Sequence, residues 1–224
     1  MRILLFCVAT LFCLTTPASA EPILWRVSLA GLSLGQLRFE MGASGPSLRS
    51  DIANTPMGVF NGSFTASTRR DADGSLHYVS ASRTTRKSRD ISFTISAAGQ
   101  VQDVRVTPAG QRTPLSVAEK GPVGVIDPTR AFARLVTPSG CPAGFALYDG
   151  RRVVQLSQTG QRQRAGRLVC QMRYSVTAGP AHLSPLSLHK LSLEIEYTRD
   201  ATGALQLDRL KMRGGVFTLR LARQ

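Results

Sequence analysis

The chain has 224 residues, 42% of them apolar and 6% aromatic, and its 28 basic against 14 acidic side chains give a formal charge of +14. Aromatics this sparse do not interleave with the arginines, which argues against a stacking platform for single-stranded nucleic acid. The few histidines and carboxylates show neither H-E-x-x-H nor paired-cysteine spacing, so neither a metal nor a cofactor is expected.

Read from the start, Met1 and Arg2 precede an apolar run from Ile3 to Leu14 that is too short to span a bilayer as a stable helix. Pro17-Ala18-Ser19-Ala20 then offers small residues to a signal peptidase. Residues 1–20 therefore read as a cleavable export signal, and residues 21–224 as a single antiparallel β domain working in the periplasm. No later stretch reaches about 18 consecutive apolar residues, so no membrane-spanning helix is expected in the mature form.

The dominant period from Ile23 onward is two, the mark of half-buried strands. Ile23, Trp25, Val27 and Leu29 alternate with Leu24, Arg26 and Ser28; Leu37, Phe39 and Met41 follow. Leu32 and Leu34 are out of phase with that second set, so a bulge or kink is expected at Gly35-Gln36. Ile91, Phe93 and Ile95 face away from Ser92, Thr94 and Ser96, with Val104 and Val106 beyond. The cleanest alternation is Leu168, Cys170, Met172, Tyr174 and Val176; Leu191 to Tyr197, Leu205 to Met212 and Phe217 to Leu221 complete the set. Turns are expected at Asp71–Gly74, Ala98-Gly99 and Gly214-Gly215.

Helix signals are few. Asp127-Pro128 reads as an N-cap with proline at the first helical position, and Phe132, Leu135 and Val136 recur at helical spacing. A weaker second helix is expected over Met57 to Thr65, and Thr107 to Val125 reads as a loop. The expected class is mainly β: a curved antiparallel sheet, half-barrel or open barrel, of about nine to eleven strands with one or two short helices.

Two cysteines, Cys141 and Cys170, remain after signal removal, and an oxidising compartment permits the one pairing open to them. The alternative, a two-ligand metal site, finds no further ligands nearby. Gly31-Leu32-Ser33-Leu34-Gly35 spells the letters of a nucleophile elbow, but a strand follows where the elbow needs a helix, and a turn explains the glycines better. Glu194 and Glu196 share one strand face and read as solvated charges rather than an acid–base pair. With no nucleophile or acid–base cluster in the linear sequence, no enzymatic activity is expected. Basic residues cluster at Arg83–Arg89, Arg162–Arg167 and Arg209–Arg213. Arg209, Lys211 and Arg213 share one parity and are expected to form a positive stripe facing an anionic surface.

Three segments together resemble an uncharacterised family of exported bacterial proteins, the domain-of-unknown-function family 3108. These are Trp25–Phe39 with Gly31 and Gly35 at its turn, Val125–Phe132 around the Asp-Pro helix start, and Tyr148-Asp149-Gly150-Arg151-Arg152 between Cys141 and Cys170. Family proteins often show serine after the Asp-Pro pair, where this chain has Thr129. The resemblance implies a curved sheet partly wrapped around helices, similar to the half-barrels of periplasmic lipoprotein carriers; it implies no activity. The expected function is a non-catalytic binding or carrier module for a lipid or another amphipathic or anionic envelope component. Asp149, Arg151 and Arg152 are its candidate ligand-binding residues, although Asp149-Gly150 also reads as a plain hairpin turn. The alternative is a structural or interaction protein of the envelope with a solid core and no ligand.

Overall fold

In the computed structural model, residues 21–53, 55, 61–85, 87–117, 119, 121–181, 189–215 and 217–224 are described. The expected export signal lies outside them, as do Met57–Phe60, Arg86 and His182. Among these residues, thirteen strands hydrogen-bond into one curved sheet in which every strand runs antiparallel to its neighbours. Seven come before the connecting segment: β1 (Ile23–Leu29), β2 (Leu32–Gly42), β3 (Gly45–Ile52), β4 (Gly62–Arg70), β5 (Leu76–Thr84), β6 (Ser88–Ile95) and β7 (Val101–Thr107). Six follow it: β8 (Phe145–Tyr148), β9 (Val153–Arg164), β10 (Arg167–Ala178), β11 (Lys190–Arg199), β12 (Leu205–Gly214) and β13 (Phe217–Arg223). One helix, α1 (Pro128–Val136), lies between the two groups.

The first seven strands step outward from the middle of the sheet as a meander, and the last six step back inward until β13 pairs with β1. Val27 faces Leu221 and Trp25 faces Arg223 across that central seam. The two edges are therefore β7 and β8. They are bridged by the connecting segment: Gln100 pairs with Val123, and Ile126 pairs with Leu147. Ile126 donates its N–H to Ala146 O at 3.0 Å and accepts from Tyr148 N at 2.9 Å. Backbone groups that an open edge would leave unpaired are satisfied there.

Alternation explains which side is buried. Trp25, Val27, Phe39, Phe93, Cys170, Met172 and Ile195 all belong to the interior. The phase change at Gly35 is a bulge, with the β1–β2 register shifting between Val27 and Ser28. Only glycine fits there, because a Cβ would stand 2.0 Å from Asp51 O.

The helix begins as its sequence requires. Asp127 Oδ1 accepts from Arg130 N at 3.0 Å, and the hydroxyls of Thr68 and Thr129 donate to the same oxygen at 2.6 Å. Thr68 belongs to β4, so the cap also pins the helix to the sheet. Phe132 packs edge-on to Trp25, with ring centroids 5.4 Å apart, and lies 5.7 Å from Phe39. Such ring pairs add about 0.5–1.5 kcal/mol each beyond their buried area. Cys141 and Cys170 form the expected disulfide, with their Cα atoms 5.5 Å apart. The bridge ties the chain just after α1 to the inner face of β10.

Two expectations are corrected. The strands number thirteen rather than nine to eleven. The sheet includes β3, β4 and β9, whose apolar residues are too few to show a period, and β8, whose four residues are all apolar and do not alternate. The second helix over Met57 to Thr65 is not formed as read, because Gly62–Thr65 opens β4. Gly62 suits the close approach of the neighbouring strand: a Cβ there would lie 2.0 Å from Arg83 O. Beyond Thr107, which closes β7, the described residues up to Val125 are irregular as expected, apart from 3-10 turns at Ala109–Gln111 and Pro114–Ser116.

Candidate functional site

At one end of the sheet the inner face is not filled. The lining residues come from the same end of successive strands: Phe64 opens β4, Ser82 closes β5, and Arg89 opens β6. Phe132 and Leu135 of α1 form another wall, and Leu193 and Met212 a third. Together they enclose a mainly apolar cavity of about 530 Å³, within the range of about 300–1,000 Å³ typical of sites for one small ligand.

Two arginines and one carboxylate line this apolar cavity: Arg89, Arg152 and Asp149. Asp149 to Arg152 is the tight turn between β8 and β9. Asp149 Oδ1 accepts from Arg151 N at 3.0 Å and from Arg152 N at 2.9 Å. The turn is also held from outside. Ser116 Oγ donates to Gly150 O at 2.9 Å, Thr113 Oγ1 donates to Arg151 O at 2.9 Å, and the Tyr148 hydroxyl donates to Leu115 O. Gly150 has φ +89°, and a Cβ there would meet Ile91 Cγ2 at 2.3 Å. The glycine lets the turn press against β6 and brings the two groups of strands together.

Arg152 is the most unusual side chain of the site. It is 6% exposed. Its Nε lies 3.0 Å from Asp149 Oδ2, close enough for an ion pair. Among the described residues, neither Nε nor Nη1 has a hydrogen-bond partner. A buried guanidinium normally has its donors paired, because an unmade hydrogen bond there costs free energy. Arg89 is half-buried and donates through Nε to the side-chain oxygen of Gln111. Arg151 donates through Nε to the backbone oxygen of the same residue at 2.6 Å. Burial first, then repulsion from Arg151 and Arg152, lowers the pKa of Arg89. Burial and the Arg152 charge do the same to Arg151. Tyr174 also lines the cavity; burial raises its phenol pKa, with a smaller push from the Asp149 charge.

The structure thus brings Asp149 and Arg152 of the three sequence candidates to the cavity. Arg151 is directed to Gln111 and does not line it. Arg89 also lines the cavity, although the sequence showed it only as part of a basic cluster. Its parity reveals it: Arg89, Ile91, Phe93 and Ile95 are spaced by two, and the last three are buried. Arg152, Val154 and Leu156 show the same rule, with all three buried.

The expected positive stripe is corrected. Register sets Lys211 opposite Glu194 and Arg209 opposite Glu196. Lys211 Nζ lies 2.7 Å from Glu194 Oε1 and 2.9 Å from Glu196 Oε1, and Arg209 Nη1 lies 3.2 Å from Glu196 Oε2. Arg162 and Arg167 join from the neighbouring strands. The charges of Arg209 and Lys211 are thus matched across strands, whereas Arg213, opposite Ser192, is exposed. A second depression, about 750 Å³, lies outside β1 to β5. Its arginines Arg38 and Arg49 pair with Glu40 and Asp51 of the same strands, so it holds no waiting charge and is the weaker candidate.

Among the described residues, no helix is long and apolar enough to cross a membrane. No protein-family model matches the chain, and no curated protein does. Among solved structures the chain is similar to a β-barrel-like protein of domain of unknown function 1849 from Brucella abortus. The two share 13% identity over 91% of this chain and 95% of that one, with a TM-score of 0.49.

Proposed function

We propose that this protein is a non-catalytic binding or carrier module of the bacterial envelope, exported by a cleaved signal over residues 1–20, that holds an amphipathic ligand inside its curved sheet. The reading keeps the family resemblance drawn from Trp25–Phe39, Val125–Phe132 and the Asp149-Gly150-Arg151 segment, and with it a periplasmic location. One observation carries it: an apolar cavity of about 530 Å³ has in its wall a buried arginine two of whose nitrogens have no hydrogen-bond partner among the described residues. Apolar walls recommend an alkyl chain, and the guanidinium recommends a polar end. The disulfide agrees with an oxidising compartment. The alternative of a solid-cored scaffold protein expects a filled interior, which a cavity of this size does not favour.

The test is to purify the protein from its native envelope under mild conditions, extract it with organic solvent and identify the extract by mass spectrometry. A stoichiometric amphiphile, absent from a control periplasmic protein purified alongside, is the expected result. Repeated recovery of the protein without any such molecule, together with failure to take up added alkyl ligands, would overturn the reading.

A further inference from the structure

We infer that the cavity selects single-chain amphiphiles ending in an anionic group, a carboxylate or a phosphate monoester, and that Arg152 binds that group. The inference rests on the carrier reading and adds the class of ligand.

The first step is charge. The cavity wall holds two guanidinium groups, Arg89 and Arg152, against the single carboxylate of Asp149. Asp149 is already occupied: Oδ1 takes two backbone N–H groups, and Oδ2 stands beside Arg152 Nε. It has no second oxygen to offer Nη1. One added negative charge would balance the wall, and a planar fork of N–H donors matches an oxyanion.

The second step is satisfaction. Were Arg152 only the structural partner of Asp149, its nitrogens would be expected to be paired, as those of a buried ion pair must be to offset desolvation. Nε and Nη1 are instead buried without hydrogen bonds among the described residues. The third step is support. Arg89 is held by the side chain of Gln111 and Arg151 by its backbone oxygen, while the Asp149 turn is fixed by Ser116 and Thr113. The surroundings of Arg152 are thus tied down before any ligand arrives. The fourth step is size: about 530 Å³ suits one small ligand rather than a bundle of acyl chains.

The experiment uses the purified protein stripped of bound lipid and loaded with the neutral fluorescent probe N-phenylnaphthylamine. Dodecanoate, dodecyl phosphate and dodecanol, each below its aggregation limit, then compete for the site. The two anions are expected to displace the probe at concentrations at least about tenfold lower than the alcohol, the ratio that one charge-assisted hydrogen bond supplies. The carboxylate and phosphate arms separate the two possible head groups. Arg152→Met should abolish the preference, so that the two anions and dodecanol displace the probe at similar concentrations, and Arg152→Lys should restore part of it. If Arg152→Met does not fold, Arg89→Met, which removes the second cation, is expected to reduce the preference, and the wild-type ratio still decides. Equal displacement by all three ligands, or a preference that survives Arg152→Met, would overturn the inference and leave the carrier reading standing. No displacement by any of the three would overturn the carrier reading itself.

Discussion

Arg152→Met is expected to stabilise the ligand-free protein. The native side chain is 6% exposed, and its Nε and Nη1 lack hydrogen-bond partners among the described residues. Leaving a buried donor unsatisfied costs about 1–3 kcal/mol, and methionine removes that cost while filling much of the same length with apolar atoms. Against this stands the loss of the 3.0 Å contact with Asp149. That carboxylate is 26% exposed and keeps two backbone N–H bonds, so it is not stranded when the arginine goes. A partly exposed pair contributes about 0.2–1 kcal/mol. The balance is a gain of about 1 kcal/mol, or about 2–4 °C in melting temperature for a chain of this size. Differential scanning calorimetry of delipidated wild type and variant reads the change directly. A structural buried ion pair predicts the opposite sign, a loss of about 3–5 kcal/mol on removing one partner. A fall in melting temperature of that order would refute the assignment of Arg152 as a site residue held at a cost to stability.

Three further outcomes follow from the same geometry. Cys141→Ala/Cys170→Ala opens a loop of sequence separation 29; chain entropy alone then removes about 3–4 kcal/mol, seen as a lower midpoint in urea with a matching loss for the reduced wild type. Gly150→Ala forces a side chain onto a residue with φ +89° and against Ile91 Cγ2; it should cost about 1–3 kcal/mol, and Ile91→Ala in the same chain should recover part of that cost in a double-mutant cycle. Hydrogen bonding from Lys211, then Arg162, holds the Glu194 carboxyl below its ordinary value of 4.5 against the opposing effect of burial. A depressed carboxyl pKa means that this stabilisation is complete at neutral pH and is lost as pH falls below that ordinary value. Glu194→Gln should therefore flatten the acid limb of a stability-against-pH curve while leaving its alkaline side in place.

Much of the sheet was legible because one face is dry and the other wet. β1, β2, β6, β10 and β11 alternate cleanly, and the bulge at Gly35 showed as a change of phase. The Asp127 cap, Pro128 and the apolar spacing of α1 were legible for the same local reason. β4 was not: its buried residues include Ala66 and Thr68, the latter facing inward to cap a helix from another part of the chain. β9 was hidden because only its first half is apolar on the inner side, while Gln161 to Arg164 are exposed. The ion pairs around Glu194 and Glu196 depend on cross-strand register, which one sequence does not display. Neither does the role of Gln111, whose two arginine partners lie 22 and 40 positions away.

The site and the core obey one alternation, and that fact separates the function from the scaffold. Rows of inward residues end in arginine at two places on opposite sides of the connecting segment: Arg89 on β6, before Ile91 and Phe93, and Arg152 in the turn that leads into β9, before Val154 and Leu156. Neither row explains the other, since β6 and β9 do not hydrogen-bond. They meet because β7 and β8 are joined through the 121–127 segment and because Gln111 contacts Arg89 and Arg151 from the connecting chain. A sheet closed by direct pairing of its edges would need no such segment. Here the irregular connection carries the residues that position the charges, while the strands and α1 supply the apolar walls. That division, with polar recognition on a tied loop and apolar burial on a rigid sheet, is what a module needs if it is to hold a chain by its length and choose it by its end.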